Sequence, residues 1–379
     1  MTLRAGLLLC VLLALGVTPL SAETDPERTA RRAAQMLDQA ALALKDADGA
    51  RDRVSALTQT IKAYEEGLVA LREGMRRAAI REQSIRLVFD AQQDEISRLL
   101  GVLQTMQRAP ETMLLLHPSG PLGTARSGMI ISEVTPALQA DAERLRDQLE
   151  EVALLRALQE SAEDTLANGL SGVQDARTAL SKAISDRTDL PPRFAADSEK
   201  LRALLESTDT LEGFASGLTS LSEGRDLPPL EQFTANKGTL PLPVRGTILR
   251  RFDEADAAGI RRPGLLIATR PLALVTTPVP ATIRYRGPLL DYGNVMILEP
   301  AGDTLLVLAG LSDVYGEVGE VLSAGAPVGL MGGTNPKVGV FLGNSAKGGG
   351  SDHTETLYIE LRQGNAPVDP AEWFGVIKD

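Results

Sequence analysis

Between residues 54 and 106 the apolar side chains recur at alternating spacings of three and four: Val54, Leu57, Ile61, Tyr64, Leu68, Leu71, Met75 and Ala78, then Ile85, Phe89, Ile96, Leu99, Leu103 and Met106. Only Glu82 and Gln92 interrupt the series. A 3.5-residue period held over about seven heptads marks a coiled coil rather than the face of a globular helix. At ~1.5 Å per residue this stretch is roughly 80 Å long, so it must protrude from any compact domain. A second register runs Leu138, Ala142, Leu145, Leu149, Val152, slips between Arg156 and Glu163, and resumes at Leu166, Leu170, Val173, Leu180 and Ile184. Two arms of similar length joined by about 25 residues fold back as an antiparallel hairpin, although heptads alone also permit a parallel homodimer. Pro110 ends the first arm, while Pro118, Gly120, Pro121 and Gly123 predict irregular backbone after it. Asp189-Leu190-Pro191-Pro192 stops the second arm.

The amino terminus has a different pattern. Arg4 precedes the apolar run Leu7 to Val17, and Leu20-Ser21-Ala22 satisfies the small-residue rule of a signal-peptidase site. About eleven apolar residues are too few to span a bilayer, so a cleaved signal and a periplasmic location are expected. The only Cys, Cys10, lies inside that run. With one Cys and 2 His in the whole chain, disulfide frameworks, thiol nucleophiles and His-rich metal sites are nearly excluded. Asp and Glu total 50 against 39 Lys and Arg, for a net charge of -11, which argues against nucleic acid as a partner.

Residues 195 to 225 contain shorter amphipathic pieces, Leu201, Leu204, Leu205 and then Leu211, Phe214, Leu218, Leu221, broken at Thr208-Asp209 and Gly213. Such a segment suits the cover of a groove on another domain or the base of the hairpin. Asp226-Leu227-Pro228-Pro229 and Asn236-Lys237-Gly238 then mark a linker. Beyond Leu240 the pattern becomes short aliphatic runs between Gly and Pro: Leu265 to Ala268, Ala281 to Tyr285, Val295 to Leu298, Thr304 to Leu308, Ala326 to Leu330 and Thr356 to Leu361. These predict a small antiparallel β domain, making the whole chain α+β. Gly348-Gly349-Gly350 has no Lys-Ser/Thr partner and reads as a loop rather than a phosphate cradle.

Several of these residues carry a resemblance. Leu240-Pro241-Leu242-Pro243-Val244-Arg245-Gly246, the turn Asp291-Tyr292-Gly293-Asn294, the series Gly319, Gly325, Gly329, Gly332, and Leu357-Tyr358-Ile359-Glu360-Leu361-Arg362 with Val368-Asp369-Pro370 and Trp373 look like a LytM-type peptidase domain. Together with the coiled coil and signal, the chain resembles the EnvC family of murein hydrolase activators. The implied division is a signal peptide at 1–22, a coiled-coil hairpin at 23–190, regulatory helices and linker at 191–239, and a degenerate LytM-type domain at 240–379.

In an active LytM-type enzyme zinc is held by a His and an Asp near the first strands and a His in the last strand. Zinc catalysis needs three protein ligands and an open water position. The matching stretches here are Arg262-Pro263-Gly264-Leu265-Leu266, Gly310 or its neighbour, and Thr356-Leu357-Tyr358. Arg262 brings a fixed positive charge and Leu266 removes the carboxylate, so no metal, no cofactor and no catalysis are expected. His353 alone cannot replace three ligands, His117 lies in the helical half, and Asp253 and Glu254 are ordinary acids of an acidic chain.

The resemblance implies that the groove instead binds a zinc-dependent N-acetylmuramoyl-L-alanine amidase and relieves its autoinhibition. It carries the partner-binding role onto Tyr358, Arg362, Leu266, Arg262 and Tyr292. Strand alternation puts Tyr358, Glu360 and Arg362 on one face. It further implies contact of the coiled coil with the FtsE-FtsX complex at the division site, and a helix, matched by Leu201 to Leu221, that blocks the groove until that contact moves it. Other readings of the residues are a periplasmic adaptor of an efflux or secretion system, a zinc endopeptidase with unusual ligands, and direct peptidoglycan binding.

Overall fold

The computed structural model describes residues 26–94, 97, 98, 101, 104, 120–186, 198–220, 233–334 and 354–375. The proposed signal at 1–22, His117, His353, the Gly348-Gly349-Gly350 loop and the Asp226-Leu227-Pro228-Pro229 stretch lie outside the described residues.

Helix α1 (Pro26–Lys45) turns at Gly49 into helix α2 (Ala50–Ala91), and a third helix, α3 (Gly120–Ser185), returns along α2. The direction of return is fixed by ion pairs: Glu65 of α2 meets Arg177 near the end of α3, whereas Arg81 and Glu82, farther along α2, meet Glu151 and Arg156, farther back on α3. The arms are antiparallel within one chain. Val54, Leu57, Ile61 and Leu68 of α2 bury against Leu166, Val173, Ala176 and Leu180 of α3, as the heptad spacing requires. Glu82, which breaks the heptad series, sits in the seam held by Arg156 at 3.0 Å and Arg86 at 2.6 Å. A buried charge paired across the seam fixes register where a leucine would allow sliding.

Two expectations fail here. The helix begins at Gly120 and absorbs Pro121, Gly123 and Pro136. Pro121 occupies the first turn, where its missing N–H is unpaired in any helix. The register slip between Arg156 and Glu163 lies within a continuous helix, and Leu149, expected in the apolar seam, stays exposed while Val152 and Leu166 are buried.

Helices α4 (Ser198–Ser207) and α5 (Leu211–Ser220) follow. The break at 208–210 agrees with the sequence, but Gly213 lies inside α5. The Thr210 hydroxyl accepts the Gly213 N–H at 3.0 Å, so Thr210 caps the helix and Gly213 falls in the first turn, where glycine costs least.

The remainder is a ten-stranded antiparallel sheet in the order β1-β2-β9-β6-β5-β4-β7, with β10 beside β9, and β8 joining both β3 and β6. The strands are β1 (Gly246–Arg250), β2 (Leu265–Thr269), β3 (Leu274–Thr276), β4 (Ala281–Pro288), β5 (Asn294–Ala301), β6 (Thr304–Val314), β7 (Val321–Leu322), β8 (Pro327–Met331), β9 (Glu355–Gln363) and β10 (Ala366–Val368). Period-two alternation sorts their side chains onto two faces. Leu265, Ile267, Met296, Leu298, Leu306, Leu308, Leu357, Ile359 and Leu361 face a core shared with Phe233, Trp373 and Phe374. Val295, Ile297, Leu305, Val307, Ala309 and Tyr358 point the other way, and Leu211, Phe214, Ala215 and Leu218 of α5 cover them.

The hairpin base also docks on the sheet domain. Leu274, Tyr315 and Leu330 join the α2–α3 seam. Tyr315 Oη lies 3.2 Å from Ser181 Oγ, Arg245 Nη2 donates to Glu66 Oε2 at 2.8 Å, and the Leu274 N–H donates to Glu65 at 3.2 Å. Burial lowers the pKa of Lys62 beside this junction.

Candidate functional site

The central strands β2, β9 and β6 bring the singled-out residues together. Leu266 is opposite Tyr358 in the β2–β9 ladder, and Ala309 is opposite Tyr358 in the β6–β9 ladder. Tyr292, in a short 3-10 turn before β5, places its ring 6.0 Å from that of Tyr358. Arg262 enters from the hairpin before β2 and lines a cleft with Leu266 and Tyr358. Three of the five expected residues, Leu266, Tyr292 and Arg262, therefore surround a fourth, Tyr358.

The fifth, Arg362, connects through an acid. The Tyr358 hydroxyl donates to Glu360 Oε2 at 2.7 Å, and Arg362 Nη1 donates to Glu360 Oε1 at 2.6 Å. Arg362 Nη2 also donates to the Asn365 carbonyl at 2.7 Å. Burial, then the Glu360 charge, pushes the Tyr358 phenol far above its ordinary range, so it is a permanent donor. Arg362 is not a surface charge: it is 0% exposed, and Glu360 is 2% exposed.

Helix α5 is part of this geometry. Phe214 meets Tyr285 edge-on, ring centroids 4.8 Å apart. At the carboxy-terminal end the Leu218 carbonyl accepts a 3.1 Å hydrogen bond from Arg284 Nη2. At the other end Glu212 lies 3.7 Å from Arg362. Arg284 is itself buried beside Glu299, at 3.4 Å. An arginine from the sheet thus meets each end of a ten-residue helix.

The positions matched to zinc ligands do not fit a metal. Arg262 and Leu266 offer no donor atoms to a cation. Gly310 has φ +95°, and a Cβ there would come within 2.5 Å of the Thr356 carbonyl oxygen, so no histidine fits on this backbone. Gly264 is similarly confined: a Cβ would lie 2.6 Å from the Tyr358 ring and from the Ile359 carbonyl oxygen. The ring occupies the space that a larger residue at 264 would fill. Among the described residues no three His, Cys, Asp or Glu side chains converge to hold a metal ion.

Sequence reasoning placed Glu360 on the face of Tyr358 and Arg362 without giving it a role, and missed Arg250 and the confinement of Gly264. The signal for Glu360 was present, since an acid between Tyr358 and Arg362 in an otherwise apolar strand needs both as donors. Arg250 gave no signal, because a β-bulge turns it: Ile248 is opposite Ile267 but Arg250 is opposite Leu266, leaving Leu249 as the extra residue.

No family model matches the sequence. An uncharacterized protein of Haemophilus influenzae is 30% identical over 143 residues, 37% of this chain and 30% of its own length. Another from Neisseria meningitidis serogroup B is 26% identical over 141 residues, 37% of this chain and 21% of its own. The chain thus spans less than a third of the curated relatives it matches. Among solved structures it is similar to Helicobacter pylori Csd3 (19% identity, 36% of this chain and 35% of that one, TM-score 0.28). It is also similar to a putative M23 peptidase of Pseudomonas aeruginosa (18%, 38% and 58%, TM-score 0.28) and a zinc-containing peptidase of Vibrio cholerae (18%, 38% and 40%, TM-score 0.28). Among the described residues no helix is long and apolar enough to cross a membrane.

Proposed function

We propose that this chain is a non-catalytic periplasmic activator of peptidoglycan amidases in cell separation, of the EnvC type, acting through a degenerate LytM-type domain. The observation that carries this reading is the seating of α5 on the face that holds Tyr358, Glu360 and Arg362. That face has an apolar floor and paired charges, which suits a protein surface, and it lacks the donor set for hydrolysis. Tyr and Arg are also the side chains that most often anchor interfaces. The amidase takes the face when α5 leaves it, and FtsE-FtsX acting on the coiled coil supplies the cause. A ligand shifts a two-state equilibrium only by its preference for one state, about 5.5 kcal/mol for a near-complete switch. The activator must therefore bind the open amidase better than the closed one. The adaptor reading is disfavoured by α1, a helix where such proteins usually place β sequence before the hairpin.

The test is dye release from labelled peptidoglycan by a purified amidase, with the full chain and with Phe214→Asp, which expels α5 by burying a charge in its cluster. No release by the chain alone, weak stimulation by the full chain and strong stimulation by Phe214→Asp is the expected result. Chelator-sensitive release without amidase, or equal stimulation by both forms, would overturn the reading.

A further inference from the structure

Beside the face covered by α5 is an open cleft lined by Arg250, Arg251, Glu254, Ile260, Arg262, Gly264, Leu266 and Tyr358. Its charge is unbalanced: the guanidiniums of Arg250 and Arg262 both approach a single acid at its edge, Asp256. Asp256 belongs to its own turn, since Oδ1 accepts the N–H groups of Ala258 at 2.9 Å and Ile260 at 2.8 Å. Its other oxygen lies 3.5 Å from Arg250 Nη1 and 3.7 Å from Arg262 Nη1. Charge-assisted N–H···O bonds close to about 2.7–2.9 Å, so Asp256 aligns both guanidiniums without satisfying either. Glu254 is likewise engaged, accepting the Arg251 N–H at 2.7 Å. The bulge in β1 aims Arg250 here, and Leu266 and Tyr358 supply a low-polarity floor that strengthens any ion pair made above it.

We infer that this cleft is a carboxylate site, in which Arg250 and Arg262 grip an acidic side chain of the protein that docks on the adjoining sheet face. One excess positive charge matches a carboxylate better than a doubly charged phosphate. Guanidiniums are planar forks suited to bidentate capture of a carboxylate. The donor is placed on a protein because Leu266 and Tyr358 belong both to this cleft and to the cluster under α5, so an occupant of that face extends into the cleft. The inference rests on the reading of that face as a protein-docking surface, but the cleft is open with α5 in place and can be probed by itself.

The probe is N-acetylglutamate N-methylamide titrated into the full chain, with its glutamine analogue as the neutral control, read on arginine Nε–H resonances assigned by Arg250→Lys and Arg262→Lys. Saturable shifts of both resonances by the acid alone, lost in Arg262→Gln, are expected. No shift, or equal shifts with the neutral analogue, would overturn the site. A muramyl peptide that moves the same resonances at lower concentration than the amino-acid probe would overturn the protein origin of the carboxylate. In the dye-release assay, Arg250→Gln with Arg262→Gln should raise the activator concentration needed for half-stimulation by about tenfold. An unchanged value would also sink it. Carboxylate binding without any amidase stimulation supports the site and refutes the amidase reading, so the two failures are separable.

Discussion

Glu360 has two donors and almost no water. Truncating one partner of a buried charge pair is costly because the other charge remains uncompensated, typically about 3–5 kcal/mol. Arg362→Ala should therefore lower sheet-domain stability by about that amount, and Arg362→Met with Glu360→Leu should recover most of the loss. Trp373, the chain's only tryptophan and buried in the core, reports this unfolding by fluorescence. A loss under about 1 kcal/mol for the single variant would show that water reaches Glu360 after all. At this scale much of the site was legible: the residue types at 262, 266 and 310 speak against metal binding before any fold is known. What remained hidden depended on backbone irregularity. A strand written as strictly alternating turns Arg250 the wrong way, and Gly264 differs from any turn glycine only through the ring that presses on it.

At the scale of elements, the hairpin seam is sensitive to acid. The Arg156 hydrogen bond, then that of Arg86, holds the Glu82 carboxyl below its ordinary 4.5. Arg81 does the same for Glu151. A folded-state pKa below the unfolded one means that the stabilisation is complete above about 4.5 and is lost as pH falls through the lower, folded value. Helix melting followed by far-ultraviolet circular dichroism should be flat from neutral pH to about 5 and fall steeply below the unfolded value. The Glu82→Gln variant should lose much of that dependence; if it keeps all of it, other carboxylates control the seam. The arms themselves could be read from apolar spacing, because the 3.5-residue period survives single interruptions. The start of α3 could not, since the same Gly and Pro residues that end helices also open them, and position within the turn decides which.

Across the whole molecule, the β domain is held on two sides, by the hairpin base at β3 and β8 and by α5 on the central strands. Tyr315 couples the first contact, and burial raises its phenol pKa while Ser181 hydrogen-bonds it. Replacing so large a buried side chain with alanine costs about 3–5 kcal/mol. In Tyr315→Ala the loss should fall on docking, separating helix melting from the Trp373 fluorescence transition where the parent chain shows them together. Transitions that stay coincident in the variant would mean that the Glu66–Arg245 ion pair and the hydrogen bond from the Leu274 N–H to Glu65 suffice to couple the two parts. None of this junction was visible in the sequence, because Glu65, Glu66 and Arg245 are ordinary surface residue types until a distant part of the chain covers them.

Helix α5 is short, about 15 Å from end to end, yet its amino-terminal end is tied to Arg362, its carboxy-terminal end to Arg284, and its apolar residues enter a single cluster between them. A strap fastened in this way does not peel by degrees. Tension on either flank meets the nearest arginine first, and once that anchor yields, the remaining contacts bear the load together and fail together. If the proposed release of α5 operates, its response to pulling would have a threshold: small fluctuations of the long hairpin would pass unnoticed, while a sustained pull above it would uncover the whole face in one event.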